Sequence, residues 1–64
     1  MKIKKQDVGK QCLVKYDDVG RVEGIIVEAE PDMDYIKLFL FHDHTLVSET
    51  PDMVIEIGDY VKPN

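Results

Sequence analysis

The chain has 64 residues, of which 44% are hydrophobic, and its formal net charge at pH 7 is −5. A chain of this length is expected to form one domain, residues 1–64, with a small core at about residues 7–58 and marginal stability. The single cysteine excludes an internal disulfide framework, and no apolar run reaches the roughly 18 residues of a membrane-spanning helix. Composition therefore predicts a soluble cytoplasmic protein without a membrane partner.

The charges are distributed unevenly along the chain. Residues 1–15 carry five lysines and one aspartate, a net charge of +4, whereas residues 16–64 carry a net charge of −9. Nucleic-acid affinity comes mainly from Lys and Arg side chains that neutralise phosphates, so the acidic body disfavours a nucleic-acid partner. The alternative nucleic-acid surface is the lysine-rich start, which consists of Lys2, Lys4, Lys5, Lys10 and Lys15.

The first two strands are predicted on either side of an Asp-Asp-Val-Gly turn. Residues 7–18 begin with a Val-Gly turn and then alternate, which predicts a strand with Cys12 and Val14 facing the core. Residues 21–29 form a second, longer strand that contains Gly24. A glycine inside a strand indicates a bend or the close approach of another backbone. We therefore expect Gly24 to have a structural role.

The third predicted strand covers residues 35–41, after an acidic loop in which Pro31 prevents further strand pairing. Its aliphatic residues alternate with a second set that includes Lys37, Phe39 and Phe41. Because Lys37 marks the solvent side, the two phenylalanines are expected on an exposed face. The N-terminal segment, or a second copy in a homodimer, is the alternative that would cover them.

Three short elements complete the prediction. The His-Asp-His sequence at residues 42–44 indicates a tight turn, and residues 45–49 indicate a fourth strand. Thr50 and Pro51 begin a single helical turn that precedes a short fifth strand. Five short strands with tight connections and no helical periodicity predict an all-β fold. We expect a five-stranded, strongly bent small barrel with one short 3-10 turn before the last strand.

The order of these motifs resembles that of the SH3-like small barrels, and among them the Tudor type. The motifs are Val-Gly-Lys at 8–10, Val-Lys-Tyr-Asp-Asp at 14–18, Glu-Gly-Ile-Ile at 23–26, Leu-Phe-Leu-Phe-His-Asp at 38–43 and the apolar ending at 54–57. The resemblance implies a Tudor-like fold over most of the chain, although fold alone does not determine function. In size and acidity the chain also resembles small accessory proteins of bacteria and their phages, some of which dock on a host enzyme.

Tudor domains hold methylated lysine or arginine in an aromatic cage by cation–π attraction. Carried over by position, Tyr16 and Phe41 match two walls of such a cage, and Asp43 or His44 lies near its rim. The aromatic wall expected in the second strand and the closing polar residue expected in the fourth strand are missing. The resemblance therefore implies an incomplete cage, and packing of the rim aromatics is the alternative role for Tyr16 and Phe41.

The sequence predicts no enzymatic activity, no cofactor and no metal site. The glycines are isolated, which excludes a phosphate-binding loop, and Cys12 lacks a polar setting that would lower its pKa. The only cluster that resembles a metal site is His42-Asp43-His44. Zinc needs three or four ligands, however, and Cys12 is expected in the core far from these histidines.

We therefore predict a non-catalytic protein-binding module, or small accessory protein, that uses an aromatic and acidic rim. The predicted contact residues are Tyr16, Asp17, Asp18, Tyr35, Phe39, Phe41, Asp43 and His44. Acidic loops favour a partner protein with a basic surface. The alternatives are a nucleic-acid-associated barrel that binds through its lysines and an acidic mimic of DNA that inhibits a nucleic-acid enzyme.

Overall fold

A computed structural model describes residues 2–62 and shows an all-β chain. Its strands are β1 (Lys10–Tyr16), β2 (Gly20–Glu28), β3 (Ile36–Leu40), β4 (Thr45–Glu49) and β5 (Val54–Tyr60). All neighbouring strands are antiparallel, in the sheet order β4-β3-β2-β1-β5. A 3-10 helix at Pro51–Met53 precedes β5, and the described residues contain no α-helix. The predicted all-β class, with five strands and a 3-10 turn before the last one, is confirmed.

Alternating apolar residues in the first three strands build most of the core. Val14 pairs with Val22, and Ile26 pairs with Leu38, so inward side chains of neighbouring strands lie side by side. The buried hydrophobic residues are Cys12, Val14, Val22, Ile26, Ala29, Ile36, Leu38, Leu40 and Val54. The faces predicted from the period of two in β1 and β3 are therefore confirmed, and β2 alternates in the same way.

Gly24 lies at a close approach of the β3 backbone to β2. It pairs with Cys12 on β1 and with Leu40 on β3. A Cβ atom at this position would lie 2.6 Å from the carbonyl oxygen of Phe39. Since no side chain fits so close to a neighbouring backbone, the structural role predicted for Gly24 is confirmed as a close backbone approach.

The sheet has two edges, β4 and β5, and no ladder joins these strands within residues 2–62. The backbone pairing is therefore that of an open five-stranded sheet, and the predicted closed barrel is not formed by the described residues. The two edges also differ in regularity. The ladder between β1 and β5 contains two register shifts, whereas the ladder between β3 and β4 runs without interruption.

The N-terminal segment forms a second 3-10 helix, Lys5–Asp7, which the sequence pattern did not predict. A carboxylate oxygen of Asp7 accepts a hydrogen bond from the backbone nitrogen of Lys4 at 2.9 Å, and the other lies 3.0 Å from the Nζ atom of Lys10. The backbone N–H of Gly9 then donates to the carbonyl of Ile26 on β2 at 2.8 Å. These bonds fix the start of the chain against the sheet.

Candidate partner-binding cleft

A cleft of about 250 Å³ opens where two turns meet the edge strand β4. The turns are the β1–β2 connection at residues 17–19 and the β3–β4 connection at residues 41–44. The residues that line the cleft are Tyr16, Asp18, Val19, Leu40, His42, Asp43, Thr45, Val47 and Glu49. Three of them are acids, and no lysine or arginine of the described chain is among them. The cleft is therefore acidic, with an apolar floor.

Tyr16, the last residue of β1, lines this acidic cleft. Its hydroxyl oxygen is buried and has no hydrogen-bond partner within the described residues. Burial raises the pKa of Tyr16, and the carboxylates of Glu49, Asp43 and Asp18 raise this pKa further. Glu49 is therefore close to the hydroxyl, although the two groups do not form a hydrogen bond of ordinary geometry. A buried hydroxyl without a hydrogen-bond partner is costly.

The β3–β4 turn holds Asp43 in a fixed orientation. One oxygen of Asp43 accepts a hydrogen bond from the hydroxyl of Thr45 at 2.6 Å, and the other lies 3.5 Å from the Nε2 atom of His42. The Thr45 hydrogen bond is the largest cause that lowers the pKa of Asp43. His44 completes the turn with a φ of 56°, a left-handed conformation that few residues other than glycine adopt. The turn therefore keeps Asp43 ionised and directed at the cleft.

Strand β4 supplies three of the cleft residues by simple alternation. Thr45, Val47 and Glu49 lie two residues apart, so their side chains project from the same face of the strand. None of the three is among the contact residues predicted from the sequence, and His42 is predicted there only as part of a possible metal cluster. The sequence signal for these three residues is their spacing of two within β4, which places their side chains on one face of the strand. The sequence does not show that this face borders the cleft.

The predicted aromatic residues Phe39 and Phe41 form a separate cluster on the outer face of the sheet. Their ring centroids lie 6.2 Å apart in an edge-to-face arrangement, and the His44 ring lies 6.1 Å from that of Phe39. Neither phenylalanine lines the cleft that contains Tyr16. The two cage walls inferred from the Tudor resemblance, Tyr16 and Phe41, therefore do not enclose a common space.

Two further predicted contact residues lie apart from both groups. Tyr35 precedes β3, whereas Phe41 follows it, so about 20 Å of extended chain separates them. Tyr35 is 55% exposed. Asp17 is exposed in the β1–β2 turn beside Asp18, but it does not line the cleft. The structure thus brings together Tyr16, Asp18 and Asp43 from the predicted set of contact residues.

The N-terminal segment packs elsewhere on the sheet. Ile3 packs against the core, and Lys5 lies 3.7 Å from Glu30, in the loop after β2. Lys2, Lys4 and Lys5 line a hollow of about 390 Å³ that also contains Glu30. These contacts place the segment beside the β2–β3 loop.

The remaining two lysines of the alternative nucleic-acid surface lie outside this hollow. Lys10 forms the ion pair with Asp7, and its Nζ atom also lies 5.2 Å from the ring centroid of Tyr60. Lys15 is exposed on β1. The five lysines are therefore divided among three places.

Another hollow, of about 160 Å³, lies at the first register shift between β1 and β5. Gln11 and Glu23 line it, and the Nε2 atom of Gln11 donates a hydrogen bond to Glu23 at 3.1 Å. Because two of its three polar side chains, Gln11 and Glu23, are paired with each other and only Glu56 remains, this hollow offers less to a ligand than the acidic cleft does.

Comparisons of the chain with protein-family models, with curated proteins and with solved structures found no match. Within residues 2–62, no three His, Cys, Asp or Glu side chains are grouped in a way that would hold a metal ion. The same part of the chain contains no helix with the length and apolar character needed to cross a membrane.

Proposed function

We propose that this protein is a non-catalytic binding module that holds a cationic side chain, lysine or arginine, of a partner protein in the acidic cleft. The observation that carries the proposal is the convergence of Asp18, Asp43 and Glu49 around the buried, unpaired hydroxyl of Tyr16. A cation in the cleft would lie among three carboxylates. Charge-assisted hydrogen bonds of this kind are stronger than those between neutral groups.

The apolar floor of the cleft also fits a lysine or arginine side chain. Val19, Leu40 and Val47 line the same space as the carboxylates. Both cationic side chains have a hydrocarbon stem that packs on apolar surface while the charged group remains near polar atoms. The acidic body of the chain, with a net charge of −9 over residues 16–64, would steer a basic partner toward the cleft.

The finer assignment, an SH3-like barrel of Tudor type that acts as a small accessory protein of a bacterium or phage, is part of this proposal. Its support is the order of the sequence motifs and an antiparallel sheet in which β1 pairs with both β2 and β5. The cleft between the β1–β2 and β3–β4 turns contains one aromatic residue, Tyr16, and three acids. This composition favours an unmethylated cation, which needs hydrogen-bond acceptors, over a methylated one, which needs aromatic walls.

A titration followed by NMR tests the proposal directly. The ¹⁵N-labelled protein is titrated with N-acetyl-Gly-Lys-Gly-amide and, separately, with the Gln and Nε-trimethyl-Lys versions of this tripeptide. We expect the Lys tripeptide to shift the backbone amide signals of Val19, Thr45 and Val47, and the Gln tripeptide to leave them unchanged. A preference for the trimethylated tripeptide would overturn the acidic-cleft mechanism and support an aromatic cage.

A pair of matched variants separates the cleft from the general negative charge. Asp18→Asn/Glu49→Gln removes two cleft charges, whereas Asp32→Asn/Asp34→Asn removes two charges from the exposed loop before β3. Both double variants have the same net charge. We expect only the first to lose the shifts produced by the Lys tripeptide. Equal losses in both would show that the cation responds to the overall charge and not to the cleft.

The same variants test for a macromolecular partner in lysate of the host cell. We expect a basic protein to be recovered by the wild type and by the loop variant, and to be lost by the cleft variant. Recovery of nucleic acid that is released by moderate salt would instead support the lysine-rich surface, because phosphate contacts weaken steeply as ionic strength rises.

A further inference from the structure

Strand β4 is an edge strand of five residues whose one charged side chain is Glu49, and it lacks the other features that normally protect an edge. Natural edge strands often carry lysine, proline or a β-bulge, each of which hinders pairing with another chain. Thr45–Glu49 contains no lysine and no proline, and its ladder with β3 has no register shift. Within residues 2–62 no strand pairs with its outer side. The other edge strand, β5, has two register shifts and a glycine, Gly58.

The two faces of β4 differ in chemistry. Thr45, Val47 and Glu49 face the acidic cleft. Leu46 lies on the opposite face, where it is 61% exposed and is directly paired with Phe39 on β3. An additional strand beside β4 would therefore have the acidic cleft next to alternate side chains. On its other face it would meet an apolar surface at Leu46 and Phe39 and a polar one at Ser48 and Lys37.

We propose that β4 accepts an extended segment of the partner protein as a sixth strand of the sheet, and that basic and apolar residues alternate in that segment. This inference rests on the proposed function, since its basic residues would enter the same cleft. The side chains opposite Thr45, Val47 and Glu49 face the cleft, so residues two apart in the segment would be lysine or arginine. Of the two intervening residues, the one beside Leu46 would be aliphatic and would pack on it, and the other would lie beside Ser48. Backbone hydrogen bonds give affinity in this mode of binding, and alternate side chains give specificity.

Charge argues for a segment of another protein and against a second copy of this chain. An antiparallel pair of two β4 strands centred on Val47 would place Glu49 of each copy opposite Thr45 of the other, beside Asp43. That arrangement brings like charges together across the new ladder, which is destabilising. A segment with basic residues at these positions would neutralise them.

A designed peptide tests the inference by fluorescence anisotropy. The probe is a fluorescein-labelled peptide of nine residues in which lysine and valine alternate, and the control has the same composition in two blocks. We expect the alternating peptide to bind about tenfold more tightly. The variant Leu46→Thr, which places a β-branched residue of good strand propensity at this exposed position, is expected to weaken the alternating peptide several-fold without a change in the far-UV circular dichroism spectrum.

N-methylation of single peptide bonds provides the decisive measurement. In an antiparallel or parallel ladder only every second N–H of the peptide points toward β4. We therefore expect N-methylation to weaken binding about tenfold or more at alternate positions and to have little effect between them. Uniform effects, or equal binding of the block peptide, would overturn strand addition.

The cleft variants keep this outcome distinct from failure of the proposed function. If the N-methyl series shows no alternation but Asp18→Asn/Glu49→Gln still abolishes binding, the cation site stands and the sixth strand is wrong. The opposite outcome is that the effect of N-methylation alternates along the peptide, but Asp18→Asn/Glu49→Gln weakens peptide binding no more than Asp32→Asn/Asp34→Asn does. In that case the peptide pairs with β4 without using the cleft, and both proposals fail as stated.

Discussion

Replacing Gly24 with alanine tests whether the close approach of β2 and β3 is required by the fold. The new Cβ atom would lie 2.6 Å from the carbonyl oxygen of Phe39 and 3.3 Å from a methyl group of Leu40. The leucine side chain can rotate away, but the carbonyl belongs to the backbone of β3. To reach an ordinary contact of about 3.4 Å, β3 would have to move by about 0.8 Å, which disturbs its ladder with β2.

The expected cost follows from these distances. Overpacking of a well-packed interior typically costs about 1–3 kcal/mol of stability. Because the new Cβ atom of Gly24→Ala would contact backbone, which cannot rotate away, we expect a cost in the upper half of this range, about 2–3 kcal/mol. A domain of this size has a total free energy of unfolding of about 3–10 kcal/mol. In urea, with a slope of about 1 kcal/mol per molar for a small protein, the unfolding midpoint should therefore fall by about 2 M or more.

Urea unfolding followed by far-UV circular dichroism measures this shift, and Gly58→Ala is the matched control. Gly58 also lies in a strand, but a Cβ atom there would be 3.6 Å from the nearest atom, the carbonyl oxygen of Gln11. We expect Gly58→Ala to remain within about 0.5 kcal/mol of the wild type. Both variants lose the same backbone freedom in the unfolded chain, so their difference isolates the contact. Equal midpoints for the two variants would refute the reasoning.

Three further predictions concern buried polar groups. Tyr16→Phe removes an unpaired buried hydroxyl, so the free energy of unfolding should stay constant or rise by up to about 1 kcal/mol. The affinity for the Lys tripeptide should fall. A clear loss of stability would show that the hydroxyl has a hydrogen-bond partner within the fold. Asp7→Ala should cost about 2 kcal/mol near neutral pH. The hydrogen bonds from the Lys4 backbone and from Lys10 lower the pKa of Asp7 in the folded state. The stability that Asp7 contributes is therefore present above the unfolded pKa and is lost as pH falls through the folded pKa. The urea midpoints of variant and wild type should converge in acid, and a difference that does not change with pH would contradict the ion pair. Burial raises the pKa of Cys12 to about 11, so at pH 8 about one thiol in a thousand is ionised. Ellman's reagent should therefore label the folded protein slowly and the protein unfolded in concentrated urea at once. Rapid labelling without urea would show that the thiol is accessible.

Local patterns were sufficient to predict the strands because the side chains of a strand alternate between two faces. The faces of β1, β2 and β3 follow directly from their apolar positions, and Thr50-Pro51 marked the 3-10 helix before β5. The helix at Lys5–Asp7 could not be predicted in this way. Its sequence has no apolar period, and it depends on the hydrogen bond that Lys4 donates to Asp7.

The cleft could be predicted only in part, because it forms between residues that are distant in sequence. Tyr16 and Asp18 were selected at the β1–β2 turn, and Asp43 at the β3–β4 turn, but nothing local indicated that these turns meet. Glu49 has the sequence environment of any exposed strand residue, and only its position at the sheet edge brings it near the Tyr16 hydroxyl. Phe41 was placed with Tyr16 by resemblance, whereas in the structure it packs against Phe39 on the outer face.

The position of β1 between β2 and β5 has a consequence for the order in which the sheet assembles. A turn of only three residues, 17–19, connects β1 to β2, so this hairpin forms at little cost in chain entropy. The pairing of Val14 with Val54 instead closes a loop of about forty residues, and the two register shifts leave fewer ladder bonds to offset that closure. We therefore expect β5 to dock last during folding, onto a meander of β1 to β4 that has already formed, and to set the folding rate of the whole domain.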